Sequence, residues 1–159
     1  MAILQIVKDT DDILRKTSRE VTEINDRIIR LLDDMHQTLT KADGAGLAAV
    51  QVGVLRRVVL VYAEDKKLEL INPRIIATEG EQESVEGCLS CPGKWAITKR
   101  PMKVTVEFTD RHGKKQTLTG EGLMAKAFCH EIDHLDGTLF YDKNVVKHLT
   151  EEELEELMS

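Results

Sequence analysis

The 159-residue chain has no surplus of basic residues, no long apolar run and only three cysteines. Its 22 basic residues against 28 acidic ones give a net charge of −6, which argues against a nucleic-acid surface, since such a surface must neutralise phosphates. No stretch of about 18 apolar residues occurs, so no membrane span is expected. The opening M-A-I-L-Q-I-V-K lacks a basic start and soon runs into D-T-D-D, so a secretory leader is not expected either. An odd count of three cysteines does not suit a disulfide framework, and the reducing cytoplasm is the natural setting. Pro73, Pro92 and Pro101 are expected at loops or sheet edges. Repeats, low-complexity tracts and linkers are also lacking, and the length suits one core, so residues 1–159 are expected to form a single domain.

What is present is concentrated in one short segment. From Phe128 to Gly137 the chain reads F-C-H-E-I-D-H-L-D-G, with His130 and His134 four residues apart and Glu131 after the first. On an α-helix residues i and i+4 share a face, so both imidazoles can reach one ion while Glu131 stands beside it as a proton carrier. Leu123 and Ala127 extend the histidine stripe, and Met124, Phe128, Ile132 and Leu135 form an adjoining apolar stripe. Thr119 is the expected N-cap and Gly137 the expected stop. The motif has only three fixed positions and also arises by chance on solvated helices.

A catalytic site of this kind needs a third ligand. In E-G-C-L-S, Glu86 to Ser90, Cys88 offers a thiolate and Gly87 lets the backbone approach closely. Cys129 precedes His130 and points roughly a third of a turn away from the histidine stripe. Spacing alone leaves Cys91 open.

The segment G-A-G-L-A-A-V-Q-V-G, Gly44 to Gly53, lacks the Lys-Ser/Thr ending of a phosphate loop. Taken in chain order, G-x-G-L-A-A-x-Q, E-G-C-L-S and H-E-x-x-H resemble the three-part signature of the peptide deformylases, a likeness that runs from the first residues to about Phe140.

The resemblance implies metal-dependent removal of the formyl group from the N-terminal formylmethionine of newly made polypeptides, with release of formate. It implies Cys88, His130 and His134 as metal ligands and Glu131 as general acid/base. Gln51 and the backbone N–H of Leu89 would stabilise the oxyanion, and Gly46 would lie along the edge where substrate backbone docks. A methionine pocket would be walled by Ala45, Ser84, Glu86, Leu123 and Ala127. Ala45 and Ser84 stand where many relatives carry branched aliphatics, Cys91 stands where an aliphatic is usual, and Cys129 replaces a common glutamine. The implied ion is Fe²⁺, with Zn²⁺, Ni²⁺ or Co²⁺ as substitutes. The implied partners are formylmethionyl nascent peptides, with transient ribosome contact, weakened by the acidic T-E-E-E-L-E-E-L at Thr150 to Leu157. A metallo-endopeptidase is disfavoured by the cysteine ligand, and a non-catalytic binding module by the presence of Glu131 and Gln51.

The expected fold is α+β, with antiparallel β-sheets packed around a central metal-binding helix, an N-terminal helix and a short C-terminal helix. Asp26 to Thr40 carries a broad apolar stripe with Asn25 as its N-cap. Arg56–Tyr62, Leu68–Ile71, Lys103–Asp110 and Lys114–Thr119 read as strands, with Arg111-His112-Gly113 as a hairpin turn. The C-terminal helix is expected to rest Leu154 and Leu157 on the body. His36, His112 and His148 have no ligand partner at suitable spacing and are expected at the surface or in turns.

Overall fold

A computed structural model describes residues 2–159. Helix α1 spans Asp26–Ala42, α2 Leu123–Leu135 and α3 Glu151–Met158. The strands are β1 Gly46–Ala48, β2 Val58–Ala63, β3 Lys66–Glu79, β4 Gln82–Glu86, β5 Trp95–Arg100, β6 Lys103–Thr109, β7 Lys115–Glu121 and β8 Val145–Leu149. They form an antiparallel five-stranded sheet in the order β1-β2-β3-β6-β7 and a three-stranded one in the order β4-β5-β8. This is the expected α+β arrangement, with α2 in contact with strands of both sheets.

The reason for the layering is visible in β2, whose V-V-L-V run is buried throughout. Side chains alternate across a strand, so Val58 and Leu60 meet Leu32, Met35 and Leu39 of α1, while Val59 and Val61 join the cluster around Phe128 and Ile132 of α2. A continuous apolar strand thus demands cover on both faces, and the two helices supply it. Leu32, Met35 and Leu39 are fully buried. At roughly 1.5–3 kcal/mol each, their burial outweighs the helix cap, which contributes about 1 kcal/mol. That cap is Asn25, whose side chain accepts from Arg27 N and Ile28 N at 3.1 and 3.2 Å.

Four expectations are corrected. Thr119 does not cap α2: it lies in β7, opposite Thr105, and the chain turns into the helix at Gly122, with φ 58° and ψ −120°, a conformation that favours glycine. The β6–β7 ladder therefore consumes residues that pattern alone assigned to a cap. The 68–71 strand is 14 residues long and runs through Pro73. The ladder slips between Ile71 and Arg74, so no paired N–H is asked of the proline there. Leu157 of α3 is exposed and Leu154 only half-buried, so the helix leans on β8 without burying both leucines on the body.

His36 is not an ordinary surface residue. Its ring stacks on Tyr62, and it hydrogen-bonds the Tyr62 hydroxyl and, at 2.7 Å, Glu69 Oε2. Arg111 joins Glu69 to Asp33, tying the β6–β7 turn to α1 across the sheet. Burial alone would raise the Glu69 carboxyl, but hydrogen bonds from Arg111 and His36 more than reverse this and bring it from 4.5 down to about 2. A carboxyl depressed by folding stabilises the native state above its unfolded pKa and loses that contribution as acid protonates it. Glu69→Gln should therefore flatten the fall in stability between pH 4.5 and about 2, measured as urea midpoints. An acid limb identical to the parent's would show that this network carries no such linkage.

Candidate metal centre

Three separate segments converge on one cavity of about 310 Å³. Gly44–Gly46, leading into β1, and Val85–Leu89, at the end of β4 and beyond it, both line it. Leu123, Lys126, Ala127, His130 and Glu131 of α2 complete the lining with Gln51 and Trp95. The N-terminal segment binds two of these parts from behind: Val7 N donates to Gln51 O and Asp9 N to Ser90 O, each at 2.7 Å.

The helical spacing brings His130 and His134 together, with ring centroids 5.0 Å apart. Cys88 Sγ lies 3.3 Å from His134 Nε2. One potential ligand atom from each of Cys88, His130 and His134 falls within 4.8 Å of the others. Cys91 and Cys129 are buried and do not belong to that group. The donor set fits a divalent ion, since one sulfur and two imidazoles make a three-ligand site that leaves room for water. His134 Nδ1 and Glu131 Oε1 are buried without a protein partner, as expected where a further polar species belongs.

The histidine tautomer has a structural cause. His130 Nδ1 is hydrogen-bonded to Glu86 Oε2, which leaves Nε2 as the nitrogen free to bind an ion. Glu86 in turn accepts from Thr98 Oγ1 at 2.7 Å and from Arg100 Nε and a terminal nitrogen at 3.0 and 2.8 Å. Arg100 also reaches Asp133 on α2 at 2.8 Å. Burial by itself would raise the Glu86 carboxyl, but bonds from His130 and Arg100 hold it well below the usual carboxylate range. Glu86 touches the cavity, yet its carboxylate is committed to His130, Thr98 and Arg100.

Glu131 is 4% exposed, and burial pushes its carboxyl up to about 7. Gly46 makes room for it, because a Cβ on that residue would stand 2.4 Å from Glu131 Oε2. Gln51 sits on the 3-10 turn Ala49–Val52 after β1. Its Oε1 accepts from Ala48 N at 2.9 Å, and its Nε2 donates to Ser90 Oγ at 3.1 Å and faces Cys88 Sγ at 3.6 Å. The amide is therefore held in one orientation. Leu89 packs towards Gly44, where a Cβ would come within 2.9 Å of Leu89 Cδ1.

The sequence model of the family Polypeptide deformylase matches residues 3–151. The chain belongs to the polypeptide deformylase family. It is 52% identical over 157 residues to a peptide deformylase of Thermoanaerobacter pseudethanolicus, covering 99% of this chain and 98% of that protein. It is 54% identical over 155 residues to one from Caldanaerobacter subterraneus, covering 98% and 97%. The crystal structure of a peptide deformylase from Synechococcus elongatus in complex with actinonin superposes with a TM-score of 0.86 at 39% identity, covering 96% of this chain and 82% of that one. The Thermotoga maritima peptide deformylase gives 0.86 at 31% identity, covering 89% and 97%.

Of the pocket residues expected in this family member, Ala45, Leu123 and Ala127 line the cavity, whereas Ser84 does not and Val85 does. Ser84 Oγ is buried without a partner. Sequence reasoning passed over Lys126, Trp95, Thr98 and Arg100. Trp95 fills the space left by Gly87, where a Cβ would lie 2.4 Å from the indole. Arg100 and Glu86 are both 3% exposed, and their meeting depends on the β4–β5 pairing, which the sequence pattern did not reveal. Arg100→Leu should leave Glu86 buried and under-paired, at a cost of about 3–5 kcal/mol in urea unfolding. A loss within about 0.5 kcal/mol, as for a surface residue, would refute the importance of this pair.

Proposed function

We propose that this chain, acting as a single catalytic domain in the cytoplasm, hydrolyses the formyl group from the N-terminal formylmethionine of nascent polypeptides and releases formate. The observation that carries this reading is the placement of buried Glu131, with one carboxylate oxygen unpartnered, beside the converging Cys88, His130 and His134 in the wall of a cavity. Cys88, His130 and His134 would hold a divalent ion, which supplies Lewis acidity towards a carbonyl oxygen and acidifies water.

The remaining work falls to the chain itself. Glu131 takes up the proton released by the attacking water and returns it to the departing amine. Negative charge developing on the formyl oxygen is met by the Gln51 amide and the Leu89 N–H. A donor of this type is commonly worth about 3 kcal/mol. The fixed orientation of Gln51 means that little rearrangement is needed as the charge appears. Gly46 lies in an edge strand of the larger sheet, and β4 is an edge strand of the smaller one. An extended peptide lying between these edges can add backbone hydrogen bonds as a strand would. The first side chain then enters towards Ala45, Leu123 and Ala127, in an apolar setting suited to methionine. The acidic α3 disfavours contact with RNA, so ribosome contact through this helix is weak.

Release of formate from a formyl-Met peptide, without cleavage of internal peptide bonds, tests the reading; internal cleavage instead would favour an endopeptidase. Cys88→Ala should lose most of its bound metal while Cys91→Ala and Cys129→Ala retain it, as measured by elemental analysis. Equal loss from all three would overturn Cys88 as ligand. Glu131→Gln should keep the metal, yet deformylate about 10²–10⁴-fold more slowly; activity within a few-fold of the parent would sink the assigned role. We assign Fe²⁺ as the native ion, although zinc binds such a site more tightly. Protein loaded with Fe²⁺ without air should turn over faster than the zinc form and lose activity in air, whereas equal rates would refute the iron assignment.

A further inference from the structure

The turn that presents Cys88 carries a second sulfur. Cys91 N donates to the Cys88 carbonyl at 3.0 Å, so residues 88–91 form a turn that brings the outer Cα atoms within about 7 Å. Disulfides span Cα separations of about 4.4–6.8 Å. The two side chains share one packed region, since Cys88 rests against the buried cluster that includes Cys91. Their surroundings differ in a directional way: Cys88 lines the cavity, while Cys91 is 1% exposed in the core cluster against which Cys88 packs. A small oxidant entering the cavity meets Cys88 first, with Cys91 standing behind it. Cys129 is carried by α2 rather than by this turn and lies outside the three-ligand group. Cys91 also lies outside the three-ligand group, so the proposed hydrolysis leaves its thiol unused.

We propose that Cys91 is the resolving cysteine of a reversible Cys88–Cys91 disulfide, formed when a hydroperoxide oxidises Cys88, and that closing this bond withdraws the Cys88 ligand and releases the metal. The metal-release half rests on the ligand assignment made above. In the first step the Cys88 sulfur attacks the O–O bond of hydrogen peroxide, gives up two electrons and becomes a sulfenic acid, with one water leaving. In the second, the Cys91 sulfur displaces the hydroxyl from Cys88, and its proton leaves with that hydroxyl as another water. Two thiols and one peroxide thus yield one disulfide and two waters. A dithiol reductant reverses the process by exchange. Without Cys91 the sulfenic acid has no neighbouring thiol and proceeds to the sulfinic and sulfonic acids, which such reductants do not restore.

The test uses the zinc-loaded full chain, its Cys91→Val and Cys91→Ala variants, and graded hydrogen peroxide. Intact and peptide masses are read alongside zinc release to a chromogenic chelator. The parent should lose two hydrogens within the peptide that holds both Cys88 and Cys91, release its zinc, and rebind it after dithiol treatment. The variants should gain oxygen atoms on Cys88 and fail to rebind zinc. Their zinc content before oxidation reports whether they fold, and the parent's own product decides the matter if they do not. Accumulation of sulfinic or sulfonic acid on Cys88 in the parent, or a disulfide that includes Cys129, would overturn the proposal. Disulfide formation with zinc fully retained would overturn the metal-release half together with Cys88 as ligand, while formate release from the untreated enzyme independently tests the hydrolysis.

Discussion

The candidate centre depends above all on how the Glu86 carboxylate is satisfied inside the protein. It ends β4, receives Thr98 and Arg100 from β5, and bonds His130 on α2. An ionised carboxylate buried without such partners would cost several kcal/mol. Each partner is therefore required where it stands, and together they lock the smaller sheet to the central helix. Cys88 lies two residues beyond Glu86, so the same lock sets its distance from the histidines. Replacing such a cluster by apolar side chains is often neutral for stability. Its contribution here is positional: it selects the tautomer of His130 and the register of the loop that presents the sulfur.

The larger sheet contributes through exclusion of water. Because β2 is covered by α1 on one face and α2 on the other, the helix carrying the histidines rests on a continuous apolar support. This burial is what raises the Glu131 carboxyl, and the same low-dielectric setting strengthens any hydrogen bond aimed into the cavity. Gly46 links the two effects, since only a residue without Cβ lets β1 pass so close to that carboxylate. The edge strand and the proton carrier thus occupy adjoining space, which suits a substrate held by its backbone while its first amide reacts.

Much was legible in the chain because local periodicity carries it. The i, i+4 histidines, the α1 stripe with its Asn25 cap, and the β6–β7 hairpin follow from spacing and turn residues within a few positions. Among the described residues, four of the eight strands, β1, β4, β5 and β8, were not read. They are short, or carry polar residues such as Glu86, Thr98 and Arg100 at buried positions, where a pattern of apolar alternation has nothing to detect. The start of α2 was placed early for a related reason, since Thr119 has the chemistry of a cap but is held by a cross-strand partner.

By itself the sequence determined the pair of histidines, the carboxylate between them and the membership in a three-block pattern, because a helix repeats every 3.6 residues whatever surrounds it. Helical spacing turned Cys129 away from the histidines but did not choose between Cys88 and Cys91. That choice is tertiary: Cys88 Sγ approaches His134, while Cys91 is buried in the core outside the ligand group. The commitment of Glu86 to His130, the fit of Gly46 against Glu131 and the fixed amide of Gln51 were likewise decided by segments far apart in the chain. Their meeting depends on the pairing of strands and the packing of sheets on helices, interactions that no local spacing encodes.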